Sequence, residues 1–126
     1  MAFSFDSDNR WYDQYFEKGM VVSGSTDSDN ALAVGQHHGA LAIVVAAAAD
    51  GTVTAGTITF KDCDTEDGSF TTPSDAPEIT IASSTVSAGD IIAVYVLPDT
   101  KRYVKATLGG TTWPSKVDVY LQYLAR

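Results

Sequence analysis

Any chemistry done by this 126-residue chain rests on a short list of side chains. Asp62, Asp64, Glu66 and Asp67 stand just before Gly68, an alternating set of hard oxygen donors of the kind that takes calcium. The EF-hand order needs glycine at its sixth position and glutamate at its twelfth. Counted from Asp62, those positions are Asp67 and Pro73, so the stretch is expected to be a solvated acidic loop. The tetrapeptide Asp-Ser-Asp-Asn occurs twice, at Asp6 to Asn9 and Asp27 to Asn30. Such residues make turns and caps without any ion, and that use is expected for both copies.

His37 and His38 are the only histidines. Adjacent side chains of an extended segment point opposite ways, so the pair does not chelate one metal. No serine or cysteine stands at a spacing that would pair it with either imidazole as an oriented nucleophile. Cys63, the single cysteine, sits among acids, which raise a thiol's pKa and suppress its reactivity. Trp113 follows Gly109-Gly110-Thr111-Thr112 and precedes Pro114, at an expected hairpin tip. An aromatic there stacks on a sugar, covers the open end of a core, or touches a partner subunit. No catalytic residue, metal site or cofactor is expected, and the chain is expected not to be an enzyme.

The elements that must carry these residues are best defined in the last third. Ile91 to Leu97 is a β-branched and aromatic run. In Arg102 to Leu108, Val104, Ala106 and Leu108 alternate with Tyr103, Lys105 and Thr107. In Lys116 to Leu124, Val117, Val119, Leu121 and Tyr123 alternate with Asp118, Tyr120 and Gln122. These runs read as antiparallel strands with one buried and one wet face. Upstream, strands are expected at Met20 to Gly24, Ala31 to Val34, Ala40 to Ala49 and Thr57 to Lys61. Another is expected at Glu78 to Ala82, with Ile79 and Ile81 inward. Ser25 to Asn30 and Ser83 to Asp90 are expected to be polar loops. Seven or eight short strands at this spacing imply an all-β antiparallel sandwich.

Residues 1 to 19 form a separate aromatic arm or helix in this reading, ahead of a β-sandwich domain over 20 to 126. Six of the thirteen aromatics lie in the first sixteen positions. Trp11, Tyr12, Tyr15 and Phe16 would share one face of a helix from Asn9 to Lys18, with Gly19 closing it. Such a helix is marginal by itself. Its aromatic face packs either on its own domain or on a neighbouring subunit.

The formal charge of −8 comes from sixteen acids and eight bases. That balance argues against nucleic acid as a partner and against anionic membrane surfaces. One cysteine allows no internal disulfide and suits a reducing compartment. No signal peptide is visible at the N-terminus, and the longest apolar stretch, Ala40 to Ala49, is too short for a membrane span.

Taken together, the order of stretches resembles the small jelly-roll cement, or decoration, proteins that stabilise the capsid heads of tailed bacteriophages. The likeness runs through Ser25 to Gly35, Leu41-Ala42-Ile43-Val44-Val45 with Asp50-Gly51, and Thr57-Ile58-Thr59-Phe60 followed by acids and Phe70-Thr71. It continues in Ala88-Gly89, Leu97-Pro98 and Lys101-Arg102-Tyr103-Val104-Lys105 to Gly109-Gly110-Thr111. It covers about residues 12 to 126, and the aromatic stretch before Tyr12 has no matching counterpart. The resemblance implies a jelly-roll fold and a non-enzymatic virion protein, made in the host cytoplasm and placed on the capsid surface. It implies a homotrimer that clamps neighbouring major capsid protein subunits. On that reading Trp11, Tyr12, Tyr15, Phe16 and Trp113 are the expected subunit or capsid contacts, because aromatic side chains dominate interface hot spots. A carbohydrate- or receptor-binding sandwich and a tail or connector component are the other classes left open.

Overall fold

The computed structural model describes residues 15–34, 41–74, 77–98 and 100–123. Eleven strands and no helix are found among them. They are β1 (Tyr15–Met20), β2 (Thr26–Asp27), β3 (Leu32–Ala33), β4 (Leu41–Ala47), β5 (Gly51–Val53), β6 (Gly56–Cys63), β7 (Ile79–Ile81), β8 (Ser84–Val86), β9 (Ile91–Val96), β10 (Tyr103–Gly109) and β11 (Val117–Tyr123). All the strand pairs are antiparallel. One sheet has the order β1-β11-β4-β9. A second has the order β2-β10-β6-β7, with β3 also paired to β10, and β5 pairs with β8 in a small third sheet.

The two large sheets face each other over one core. Leu41, Ile43, Val45, Val117, Val119 and Tyr95 come from the first sheet, and Ile58, Phe60, Val104, Ala106 and Leu108 from the second. Phe60 and Tyr95 meet edge to face across the gap, centroids 5.9 Å apart, the arrangement that the ring quadrupoles favour. This is the all-β antiparallel sandwich that the alternation implied. The inward set in β10 is the expected one, because a period of two puts Val104, Ala106 and Leu108 on one face.

Tyr15 to Gly19 are organised differently from the expected helix. Tyr15 to Lys18 belong to a strand, and a domain boundary after Gly19 would fall inside it. As a strand, adjacent Tyr15 and Phe16 take different environments: Phe16 is fully buried and Tyr15 half-buried. The i, i+4 spacing that suits a helix also suits a strand bearing irregularities. Phe16 and Met20, four apart, share a face of the strand and both enter the core, and register shifts between Tyr15 and Glu17 and between Glu17 and Met20 accompany the exposure of Lys18 between them. Gly19 has φ +72°, and its N–H donates to Asp118 Oδ1 at 2.8 Å. The positive φ expected of a helix-closing glycine is therefore present, but at an irregularity of a strand. The rest of the expected helix, 9–14, lies outside the described residues.

Smaller differences follow from pairing that local pattern does not show. The strand expected over Met20 to Gly24 is only the end of β1. The loop expected over Ser83 to Asp90 contains β8, held by β5 in the register Thr52↔Thr85. Ile81 is buried as expected, but Ile79 is 41% exposed, because β7 is the edge of its sheet.

Candidate functional site

Trp11 and Tyr12 lie outside the described residues, as do His37 and His38. Phe16 is an expected contact residue that the fold places elsewhere. It is inaccessible and packed in the central core, so no partner reaches its ring. Trp113 is half-buried and packs against the same core. Its Nε1–H donates to the Gly109 carbonyl at 2.7 Å. The ring lies so close to Gly56 that a Cβ there would fall 3.1 Å from Trp113 Cζ2. The indole thus covers part of its own core, one of the three uses open to it, and remains half-buried. Tyr15, like Trp113, is half-buried and keeps some surface. Its ring meets Tyr120 edge to face at 5.8 Å, and Lys18 Nζ stands 5.5 Å from its centroid.

The acidic stretch does not converge. Asp62 belongs to β6 and is buried, with Oδ2 accepting from Lys101 N–H at 3.0 Å. Asp64, Glu66 and Asp67 are exposed in the loop that follows. Among the described residues no group of three or more His, Cys, Asp or Glu is arranged to hold a metal. Cys63 Sγ has Thr65 Oγ1 at 3.7 Å.

The second Asp-Ser-Asp-Asn copy is a seam between the sheets. Asp27 accepts from Lys61 Nζ at 3.0 Å and from Thr107 Oγ1 at 2.9 Å. Ser28 Oγ accepts from Ala106 N–H at 3.1 Å and donates to Asn30 O at the same distance. Asn30 N–H donates to Phe16 O at 3.0 Å and Asp29 N–H to Glu17 Oε1 at 3.0 Å. These oxygens are committed to the fold, in keeping with the turn chemistry of Asx residues. Burial pushes the Glu17 carboxyl above its ordinary range. The Asp29 N–H opposes that shift, and the Asp29 charge adds to it.

Two surface features remain. An open cleft of about 760 Å³ is lined by Tyr15, Asp29, Asn30, Glu66, Tyr103 and Lys105, with Leu32 in its wall. Arg102 stands over the Tyr103 ring at 5.6 Å and Lys105 Nζ over Phe70 at 5.0 Å. The second feature is an apolar edge. Five large hydrophobic side chains are exposed among the described residues, and four of them, Ile79, Ile91, Val94 and Val96, lie on β7 and β9. These strands end their respective sheets and come near each other. Leu97 N–H donates to Leu41 O at 2.9 Å, and the same register pairs Ile43 with Tyr95 and Val45 with Ala93. Alternation then turns the backbone groups of Val94 and Val96 away from β4, toward the open edge. β9, from Ile91 to Val96, contains neither a charged residue nor a proline, so this edge strand lacks the lysine, proline or inward charge that commonly protects one.

Sequence reasoning missed this edge. The run was expected to have one buried and one wet face, and only the sheet order shows that β9 has a single neighbour among the described strands. Comparison with protein-family models, curated proteins and solved structures gives no match to this chain.

Proposed function

We propose that the protein is a non-enzymatic structural component of a tailed-phage virion, which decorates the capsid surface and clamps neighbouring major capsid subunits as a trimer. The observation that supports this reading is the uncharged β7/β9 edge, where Ile79, Ile91, Val94 and Val96 are 41–52% exposed. An apolar patch on a small acidic sandwich is the mark of an assembly surface. A charge of −8 distributed elsewhere keeps the free protein dispersed. The resemblance described above supplies the partner, the jelly-roll arrangement and the three-fold arrangement.

The experiment is attachment to capsids stripped of their cement, with light scattering for the free protein. The wild type is expected to bind and to scatter as about three chain masses. The double variant V94D/V96D alters two half-exposed side chains and is expected to keep its melting temperature. Each buried interface anchor contributes roughly 2 kcal/mol, or about thirtyfold in affinity, so the variant should detach. Attachment equal to wild type would refute the role of this edge.

A second reading rests on the cleft. Two tyrosine rings beside Asp29, Asn30, Glu66 and Lys105 combine stacking faces with hydrogen-bonding groups, as a carbohydrate subsite does. Glycan-array binding that Tyr103→Ala abolishes would favour this receptor-binding class; an array without hits would remove it.

A further inference from the structure

The sandwich is open on the side where β7 and β9 end their sheets. Ile79 of β7 is paired with Ile58 of β6. Ile58 lies in the core, so the Ile79 side chain faces inward as well, yet it is 41% exposed. From β9, Ile92 and Ala93 pack against the core and are only partly buried. Tyr95 Oη donates to Pro77 O at 2.6 Å, which ties the start of β7 to β9. On the other face of β9, Val94 and Val96 are half exposed, and their backbone N–H and C=O groups point away from β4. A strand laid along β9 would meet these needs together. Its main chain would pair with Val94 and Val96, its inward side chains would cover Ile79, and its outward ones would lie beside the two valines.

Charge decides which strand fits. From 62 to 100 the chain carries eight of its sixteen acids and none of its eight bases. Glu78, just before β7, and Asp90, just before β9, are both exposed. Asp50 reaches the turn that leads into β9, where its Oδ1 accepts from Ala88 N–H at 2.9 Å. Neither β9, nor β7, nor the strand β4 behind β9 contains a lysine or arginine. The rim is therefore an uncharged centre with acids at its margins. A second copy of β9 would bring the same acids against themselves, and like charges facing each other suppress pairing. A segment with an apolar centre and basic ends complements the rim instead.

We propose that β9 takes an extended segment of a partner protein as a fifth strand of its sheet, a segment apolar at its centre and flanked by lysine or arginine. Strand addition of this kind draws affinity from main-chain hydrogen bonds and specificity from the alternate side chains. The proposal rests on the reading of this edge as an assembly surface, under which the segment belongs to a capsid subunit.

The test uses the intact isotope-labelled protein and synthetic peptides of about eight residues, with a valine and threonine core between lysine ends. The Val94 and Val96 amides are expected to exchange at least about tenfold more slowly with this peptide present. A glutamate-ended peptide is expected to bind roughly tenfold more weakly, and one N-methylated throughout its core should give no protection. Unprotected amides, protection that survives N-methylation, or equal binding of the glutamate-ended peptide would each overturn the proposal. Protection that grows with protein concentration alone would give the edge to a second copy and overturn it too. Attachment to stripped capsids separates this proposal from the reading beneath it. Val94→Pro deletes an N–H that β4 does not use, a change that an edge strand tolerates, and it is expected to detach. If V94D/V96D detaches while a folded Val94→Pro attaches like the wild type, the edge keeps its assembly role and strand addition is overturned. If V94D/V96D attaches like the wild type while the peptide still protects both amides, the capsid role of the edge falls and strand addition stands. Should Val94→Pro fail to fold, the peptide measurement on the wild type decides.

Discussion

Phe16→Ala is the substitution that most sharply separates a core strand from a detachable arm. Phe16 is 0% exposed and packs in the central cluster, and β1 is held to β11 by register and to the β2–β3 loop by Asn30 N–H on Phe16 O. Removing a buried phenyl ring costs about 3–5 kcal/mol, including the cavity it leaves. Unfolding entropy is about 2.1 cal/mol/K per residue near 60 °C, so a chain of this length loses roughly 4 °C per kcal/mol. The melting temperature should therefore fall by roughly 10–20 °C, read by circular dichroism or calorimetry. Tyr15→Ala, at a half-buried edge-to-face pair, should cost only about 1 kcal/mol. Deleting residues 1–18 removes Phe16 with most of β1 and uncovers the edge of β11, so the truncated protein should melt far lower or fail to fold. That is the reverse of what a separate aromatic arm would give. A Phe16→Ala protein that melts within 3 °C of wild type would refute the core assignment.

Two further expectations concern the backbone and pH. Gly110 has φ +114°, and a Cβ there would collide with the Ala55 carbonyl oxygen. Gly110→Ala should destabilise by about 1–3 kcal/mol or more, measurable by urea unfolding, and a neutral result would contradict the turn geometry. Burial pushes the Tyr95 phenol above its ordinary pKa of 10.0, against a smaller opposing effect of the Thr59 side chain. Because the folded pKa is raised, the stability it confers is complete below pH 10 and is lost as pH climbs through the folded value. Tyr95→Phe should lose about 0.5–1.5 kcal/mol at neutral pH, with the hydroxyl's 2.6 Å bond to Pro77 O. It should also decline less steeply than wild type above pH 10, and parallel alkaline curves would argue against that coupling.

The strands that sequence reading located are those whose alternation is long enough to define a face. β4, β6 and β10 carry inward Ile43 and Val45, Ile58 and Phe60, and Val104 to Leu108 at period two, and all were expected. β5 and β8 are three residues each and form only because they pair with each other; their local composition is that of turns. β1 failed for a related reason. Aromatics at 11, 12, 15 and 16 satisfy helical spacing in the sequence, and the partner that holds Tyr15 and Phe16 in a strand, β11, lies about a hundred residues away. The candidate surfaces were less legible. The cleft collects Tyr15, Asp29, Glu66, Tyr103 and Lys105 from four separate stretches, and no local motif links them. The exposure of β9 is a property of sheet order, because an edge strand and a buried strand are written in the same residues.

The position of β10 and β11 has a consequence for synthesis. They leave the ribosome after the other nine described strands, yet each occupies the interior of its sheet, β11 between β1 and β4, and β10 between β2 and β6. Until they emerge, the nascent chain holds β1 and β4 without the strand that joins them, and the pairing edges of β4 and β6 stand open. Folding must then proceed by insertion of late strands into waiting gaps, through contacts of very long sequence separation, which makes it slow. A protein built this way spends its vulnerable interval just after synthesis, when an exposed β4 resembles the sticky edge of an aggregating chain.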